Sequence, residues 1–95
     1  MLTTKQKVYL RSLAQTEKPV FQIGRDAISD NLIYTVNNYL NKHELVKISV
    51  LKNCEEDLKE VAFDLARLTK SECIQVIGRQ IVLYKRSKEP KIILP

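Results

Sequence analysis

A chain of 95 residues with 44% apolar content has the size and make-up of one packed domain, which excludes a disordered polymer and leaves little room for a second core. Sixteen Lys and Arg stand against eleven Asp and Glu, a net charge of +5 that favours a polyanionic partner. No apolar run approaches the ~20 residues of a membrane span, and the opening MLTTKQKVYL lacks the apolar stretch of a signal peptide. The expected setting is therefore the cytoplasm, with no membrane contact and with Cys54 and Cys73 reduced. Aromatic residues are few and Trp is absent, so the expected core is built from Leu, Ile and Val.

In chain order, Thr3 or Thr4 is placed to cap a first helix that runs to Gln15, with Val8, Tyr9, Leu10, Leu13 and Ala14 on its apolar stripe. Pro19 cannot continue that helix and instead opens a strand, Val20 to Ile23. The strand stops at Gly24. A second helix, about Asp30 to Lys42 with Ser29 or Asp30 as its cap, repeats Leu32, Val36 and Leu40 every four residues, and Ile33 and Tyr39 widen the face. From Glu44 to Leu51, Val46, Ile48 and Val50 alternate with Lys47 and Ser49, the pattern of a half-buried strand. Glu55-Glu56-Asp57 are expected to begin a third helix, whose Leu58, Val61, Ala62, Leu65 and Ala66 have helical spacing. Glu72 to Ile77 and Gln80 to Lys85 then flank Gly78-Arg79, which predicts a hairpin.

The expected fold is α+β: a two-layer single domain in the order α-β-α-β-α-β-β, with three helices and a mixed four-stranded sheet. Alternating strands and helices favour parallel pairing, and the final hairpin adds an antiparallel pair. The domain is expected to occupy residues 1–86. Residues 87–95 form a tail, partly ordered, whose Ile92, Ile93 and Leu94 are placed to dock on the body.

Catalysis finds little support in this pattern. The single histidine, His43, falls at the end of the second helix, where the helix dipole favours a cation. Three carboxylates at 55–57 have the same kind of explanation at a helix start. No nucleophile motif or phosphate-binding Gly-Lys-Ser/Thr run occurs, and Cys54, Cys73 and His43 lie too far apart in sequence for a zinc site. The expectation is a protein that is no enzyme and uses no metal, cofactor or small-molecule substrate. Nucleic-acid binding fits better, because a strand entering a helix through a Gly loop offers free N–H groups and a positive dipole end to a phosphate. Arg25 sits in that loop. Lys5, Lys7 and Arg11 on the first helix and Lys47 on the second strand are further candidate contacts, with Lys7 and Arg11 four apart on one face. Arg67 and Lys70 at the end of the third helix, Arg79 at the hairpin turn, and Lys85, Arg86 and Lys88 after it complete the cations on offer. Each of these cations has an ordinary alternative as a solvated surface charge.

The stretches Leu2-Thr3-Thr4-Lys5-Gln6-Lys7 with Leu10-Arg11, Lys18-Pro19-Val20-Phe21-Gln22-Ile23-Gly24, Glu44-Leu45-Val46-Lys47-Ile48, Gln75-Val76-Ile77-Gly78 and Ile81-Val82-Leu83-Tyr84-Lys85 together resemble the CRM domain family (chloroplast RNA splicing and ribosome maturation), in particular its stand-alone bacterial YhbY-like members. The resemblance covers nearly the whole chain. It implies a fold similar to the C-terminal domain of bacterial translation initiation factor 3, RNA binding without catalysis, and association with precursors of the large ribosomal subunit in ribosome assembly. It further implies a GxxG loop that contacts the RNA backbone, which maps here to Gly24-Arg25-Asp26-Ala27. This chain departs from the pattern at Ala27, where the second glycine would stand, and at the acidic Asp26.

The leading expectation is a monomeric RNA-binding protein of ribosome assembly. The alternative is a protein-interaction adaptor that docks on ribosomal proteins or assembly factors through an apolar face or the Ile92-Ile93-Leu94 tail. A DNA-binding domain is weaker, since no helix-turn-helix pair or basic recognition helix is evident.

Overall fold

The computed structural model describes residues 2–25 and 28–95. Helix α1 spans Thr4–Gln15. Its N-cap Thr3 accepts the Gln6 backbone N–H at 3.1 Å while the Gln6 side chain accepts the Thr3 N–H at 3.0 Å, a reciprocal pair that satisfies two helix-start donors. Strand β1 is Phe21–Ile23, and helix α2 is Asp30–His43, capped by Ser29. Strand β2 follows at Leu45–Val50, helix α3 at Leu58–Thr69, and strands β3 (Glu72–Ile77) and β4 (Gln80–Tyr84) close the order α-β-α-β-α-β-β. Gly78, at φ +60°, supplies the left-handed turn residue of the hairpin.

The third helix begins later than the acidic run suggests. Asp57 holds an extended φ/ψ of −62°, 132°, and its carboxylate accepts the Glu60 N–H, so it caps the helix; Glu55 and Glu56 lie ahead of it. Only Glu60 places a carboxylate in the first turn.

The sheet order is β1-β2-β4-β3. β1 and β2 run parallel, Phe21 opposite Ile48 and Ile23 opposite Val50, whereas β4 is antiparallel to both β2 and β3. The ladder between β3 and β4 is irregular between Cys73 and Gln75. The hairpin thus docks by its second strand against the middle of the sheet and leaves β3 at the edge.

Helices cover both faces, so the expected two layers become three. β4 is the reason: Ile81, Val82, Leu83 and Tyr84 are all buried, and consecutive residues face opposite sides of a sheet. Ile81 and Leu83 join Ile23, Val46, Ile48 and Val50 in a core closed by Val36 and Leu40 of α2 and Val61 and Leu65 of α3. Val82 and Tyr84 instead join Leu45 and Ile74 beneath Leu10 and Ala14 of α1. That second, smaller core is completed by Leu2, Leu13, Ile92 and Leu94. The apolar stripe of α1 is narrower than its sequence suggests, with Val8 and Tyr9 exposed.

The tail folds back. Glu44, the C-cap of α2, is fully buried and adopts φ +69°. Its backbone N–H donates to the Leu40 carbonyl and its carbonyl accepts from Lys85 N–H, both at 2.8 Å. Its carboxylate accepts the backbone N–H groups of Ser87 (3.0 Å), Ile92 (2.8 Å) and Lys91. Burial raises the pKa of this carboxyl, but the bonds from Ser87, Ile92 and Lys91 outweigh it and hold the group below its ordinary value.

Candidate nucleic-acid interface

The two ends of the sheet differ in what they gather. At one end, β1 runs out into Gly24-Arg25, β2 into Leu51-Lys52-Asn53, and the β3–β4 turn carries Gly78-Arg79. These three segments are tied together. The Leu51 N–H donates to the Ile23 carbonyl at 2.8 Å, extending the parallel pair beyond its last rung. Arg79 donates from Nε to the Val50 carbonyl (2.9 Å) and from Nη2 to the Leu51 carbonyl (2.7 Å), and so closes off the end of β2. Two of its five guanidinium donors are spent there.

Gly24 has a plain geometry for a glycine. Its φ is not in the left-handed region, and a Cβ added to it would meet Asn53 Oδ1 at 3.5 Å and Leu51 Cδ1 at 3.8 Å, ordinary contact distances. Among the described residues nothing requires a glycine here. The remaining physical use of a missing side chain at an exposed turn is close approach of the backbone by something else. Arg25 follows it, exposed. Asp26 and Ala27 lie outside the described residues. Ile28 packs on the core and Ser29 caps α2, so the loop opens on the positive end of a 14-residue helix.

The other predicted cations are scattered. Lys47 extends from β2 under the end of α1, its Nζ donating to the Ala14 carbonyl (3.1 Å) and the Glu17 carbonyl (3.4 Å), so it ties helix to sheet. Arg11 donates from Nε to the Ile74 carbonyl of β3 at 3.4 Å. Lys5 and Lys7 flank Gln6, whose side chain donates to the Pro95 carbonyl, and Gln6 borders a cleft with Glu72, Tyr84 and Arg86. That is the opposite end of the sheet from Gly24, a strand length of about 17 Å away. The neighbours found at Gly24 are Leu51 and Asn53, and Arg79 reaches this end of the sheet through the Val50 and Leu51 carbonyls. The pairing register that brings the hairpin turn to the end of β2 is a long-range contact, and the one cue in the sequence was that Gly78-Arg79 had to be a tight turn.

Other chemistry-bearing groups have local partners. His43 ends α2 and stacks on Tyr39, ring centroids 4.3 Å apart, and Tyr39 meets Phe21 edge-on. Cys54 and Cys73 are free thiols, and burial pushes the Cys73 thiol pKa up, which disfavours a reactive thiolate. Among the described residues no group of three or more His, Cys, Asp or Glu could hold a metal ion, and no helix is long and apolar enough to cross a membrane.

Comparison with known proteins bears on the family and the fold. The family model described as the CRS1 / YhbY (CRM) domain matches residues 2–85. The Bacillus subtilis protein named "Probable RNA-binding protein YqeI" is 50% identical over 93 residues, covering 98% of this chain and 97% of that protein. A Haemophilus influenzae protein named "RNA-binding protein" is 37% identical over 94 residues, covering 99% and 95%. The solution structure of the hypothetical protein SAV1595 from Staphylococcus aureus superposes with a TM-score of 0.84 at 50% identity, covering all of both chains.

Proposed function

The chain belongs to the CRS1/YhbY (CRM) domain family, and from that premise we propose that it is a non-catalytic RNA-binding protein that associates with precursors of the large ribosomal subunit during their assembly. The observation that carries the RNA-binding part is the Gly24-Arg25 turn. A glycine for which the described residues give no packing or φ reason is followed by an exposed guanidinium, packs beside Leu51 and Asn53, and precedes the Ser29-capped start of α2, with Arg79 bonded to the Leu51 carbonyl. Phosphate oxygens suit that site because backbone N–H groups and a guanidinium both donate to them with charge assistance. A net charge of +5 steers the encounter. The relatives named as RNA-binding proteins favour RNA over DNA, and the resemblance of the sequence to YhbY-like proteins supports the ribosomal setting.

The adaptor reading draws less support. Of the three apolar tail residues it would use, Ile92 and Leu94 are spent against the α1 side of the sheet, and Ile93 alone is exposed.

Sedimentation of cell lysate through a sucrose gradient tests the assembly role. The protein is expected in fractions lighter than the mature large subunit and is expected to leave them after ribonuclease treatment. Its absence from every ribosomal and pre-ribosomal fraction would contradict the assembly role. Retention after ribonuclease would favour the adaptor.

A further inference from the structure

The end of the molecule opposite the Gly24 loop holds a groove of about 610 Å³. Lys42 from the end of α2, Lys85 and Arg86 following β4, and Lys88 and Lys91 of the tail line it, against one lining acid, Glu89. Lys85 donates to Asn37 Oδ1 at 2.8 Å. Among the described residues the only ion pair is Arg67 with Asp64, on α3, so none of the five groove cations is ion-paired, while the Glu44 carboxylate sits against the same turn on the Ser87 and Lys91 backbone N–H groups. The negative end of the α2 dipole accounts for Lys42. It does not account for Lys88 and Lys91, which belong to the tail.

The tail is brought there by a device that costs energy elsewhere. Glu44 is a buried carboxylate on a left-handed non-glycine backbone, both unfavourable in isolation. It gathers the N–H groups of Ser87, Lys91 and Ile92, and the Ser87 hydroxyl closes the intervening turn on the Glu89 carbonyl at 2.9 Å. Ile92 and Leu94 then fix the far side on the α1 core. The result is a folded turn that presents the exposed Lys88 and Lys91 beside Lys42 and Arg86. Holding like charges together raises their mutual repulsion, which an anion in the groove relieves.

We infer that this groove is a second RNA-backbone site, built by the Glu44-held tail and separate from the Gly24 loop. It rests on the RNA-binding reading above. Residues 86–95 lie beyond the match to the family model, whereas the Bacillus subtilis and Staphylococcus aureus relatives align over nearly the whole chain. A single RNA strand that engages both sites has to span at least the strand length of about 17 Å between the two ends of the sheet.

Salt dependence separates the two sites. Binding of a fluorescein-labelled oligouridine longer than 37 Å is followed by anisotropy as salt is varied, for the full chain and for its variants. Each single-strand phosphate contact contributes about 0.7 to the slope of log affinity against log salt. The triple variant Lys42→Gln, Lys88→Gln, Lys91→Gln is expected to flatten the slope by about 2, Lys88→Gln alone by about 0.7, and Arg25→Gln by about 0.7 independently of either. Thermal melting of each variant confirms that it is folded, and Lys88→Gln, an exposed single change, stands in if the triple variant is not. If the wild-type protein binds the probe, Arg25→Gln flattens the slope and the tail variants leave it unchanged, the groove is not an RNA site and the loop reading survives. If the wild-type protein does not bind at all, both readings fall together.

Discussion

The two ends of the sheet reach a basic surface by opposite routes. At the loop end the chain economises: a glycine without a side chain, one exposed arginine, and a second arginine that fastens two backbone carbonyls. At the tail end it builds, spending a buried carboxylate, a left-handed backbone and three captured N–H groups to lay a turn of lysines beside the end of α2. On the proposed reading the loop end meets RNA and, apart from Arg79, depends little on its own residues for stability. The tail end couples its charges to the fold, so damage there is expected to appear first in stability and only then in binding.

Glu44→Ala should break this contrast most sharply. It removes the acceptor of three hydrogen bonds and leaves their donors to water or to nothing, which is expected to cost about 3 kcal/mol and to lower the melting temperature by more than 10 °C, taking about 4–8 °C per kcal/mol for a domain of this size. A melting temperature within a degree or two of wild type would show that the tail is not held by this carboxylate. Acid should act in the same direction. Because the folded-state pKa of Glu44 lies below its ordinary 4.5, its contribution is complete above that pH and is lost as pH falls through the lower folded value. The gap in stability between wild type and Glu44→Gln should therefore be widest near neutrality and shrink in acid, as measured by urea denaturation across pH.

Arg79→Ala is the intermediate case. The guanidinium serves the loop end structurally, and its loss should cost about 1–2 kcal/mol through the two carbonyls it caps, with a parallel loss of RNA affinity. Gly24→Ala should have the smallest effect on stability, within about 0.5 kcal/mol, since the added methyl meets only ordinary contacts. Its expected consequence is a weaker RNA complex, because the methyl stands where a phosphate would approach. Unchanged affinity in the alanine variant would take the glycine out of the site.

Much of this fold is legible in the sequence. Thr3, Ser29 and the Gly78-Arg79 turn mark their elements by local hydrogen bonding and φ preference, which travel with the residue. The Asp57 cap was misplaced because an acid near a helix start can serve equally as cap or as first-turn residue. The α1 stripe was drawn too wide because periodicity does not say how broad a strip the sheet will cover, and Val8 and Tyr9 fell outside it. The third layer could have been read from Ile81-Val82-Leu83-Tyr84, an unbroken apolar run of the kind a strand buried on both faces requires.

The site was half visible. Gly24 and Arg25 are adjacent in sequence and announce themselves. Their association with Leu51, Asn53 and Arg79 depends on strand register, and so does the placing of Lys5 and Lys7 at the far end of the sheet. Lys47 reads from the strand pattern as an outward-facing cation and candidate RNA contact; only the position of α1 shows that its ammonium is held by two carbonyls. Least legible was Glu44, whose partners lie more than forty residues away.

The most direct test of a two-ended RNA surface is a titration of the isotopically labelled protein with the same oligouridine, followed by amide chemical shifts. The account predicts that shifts cluster at Gly24, Arg25, Lys52 and Arg79 at one end and at Lys42, Arg86, Lys88 and Lys91 at the other, while the outer face of α3 around Phe63 stays still. Shifts centred on α3, or none at either end, would contradict it.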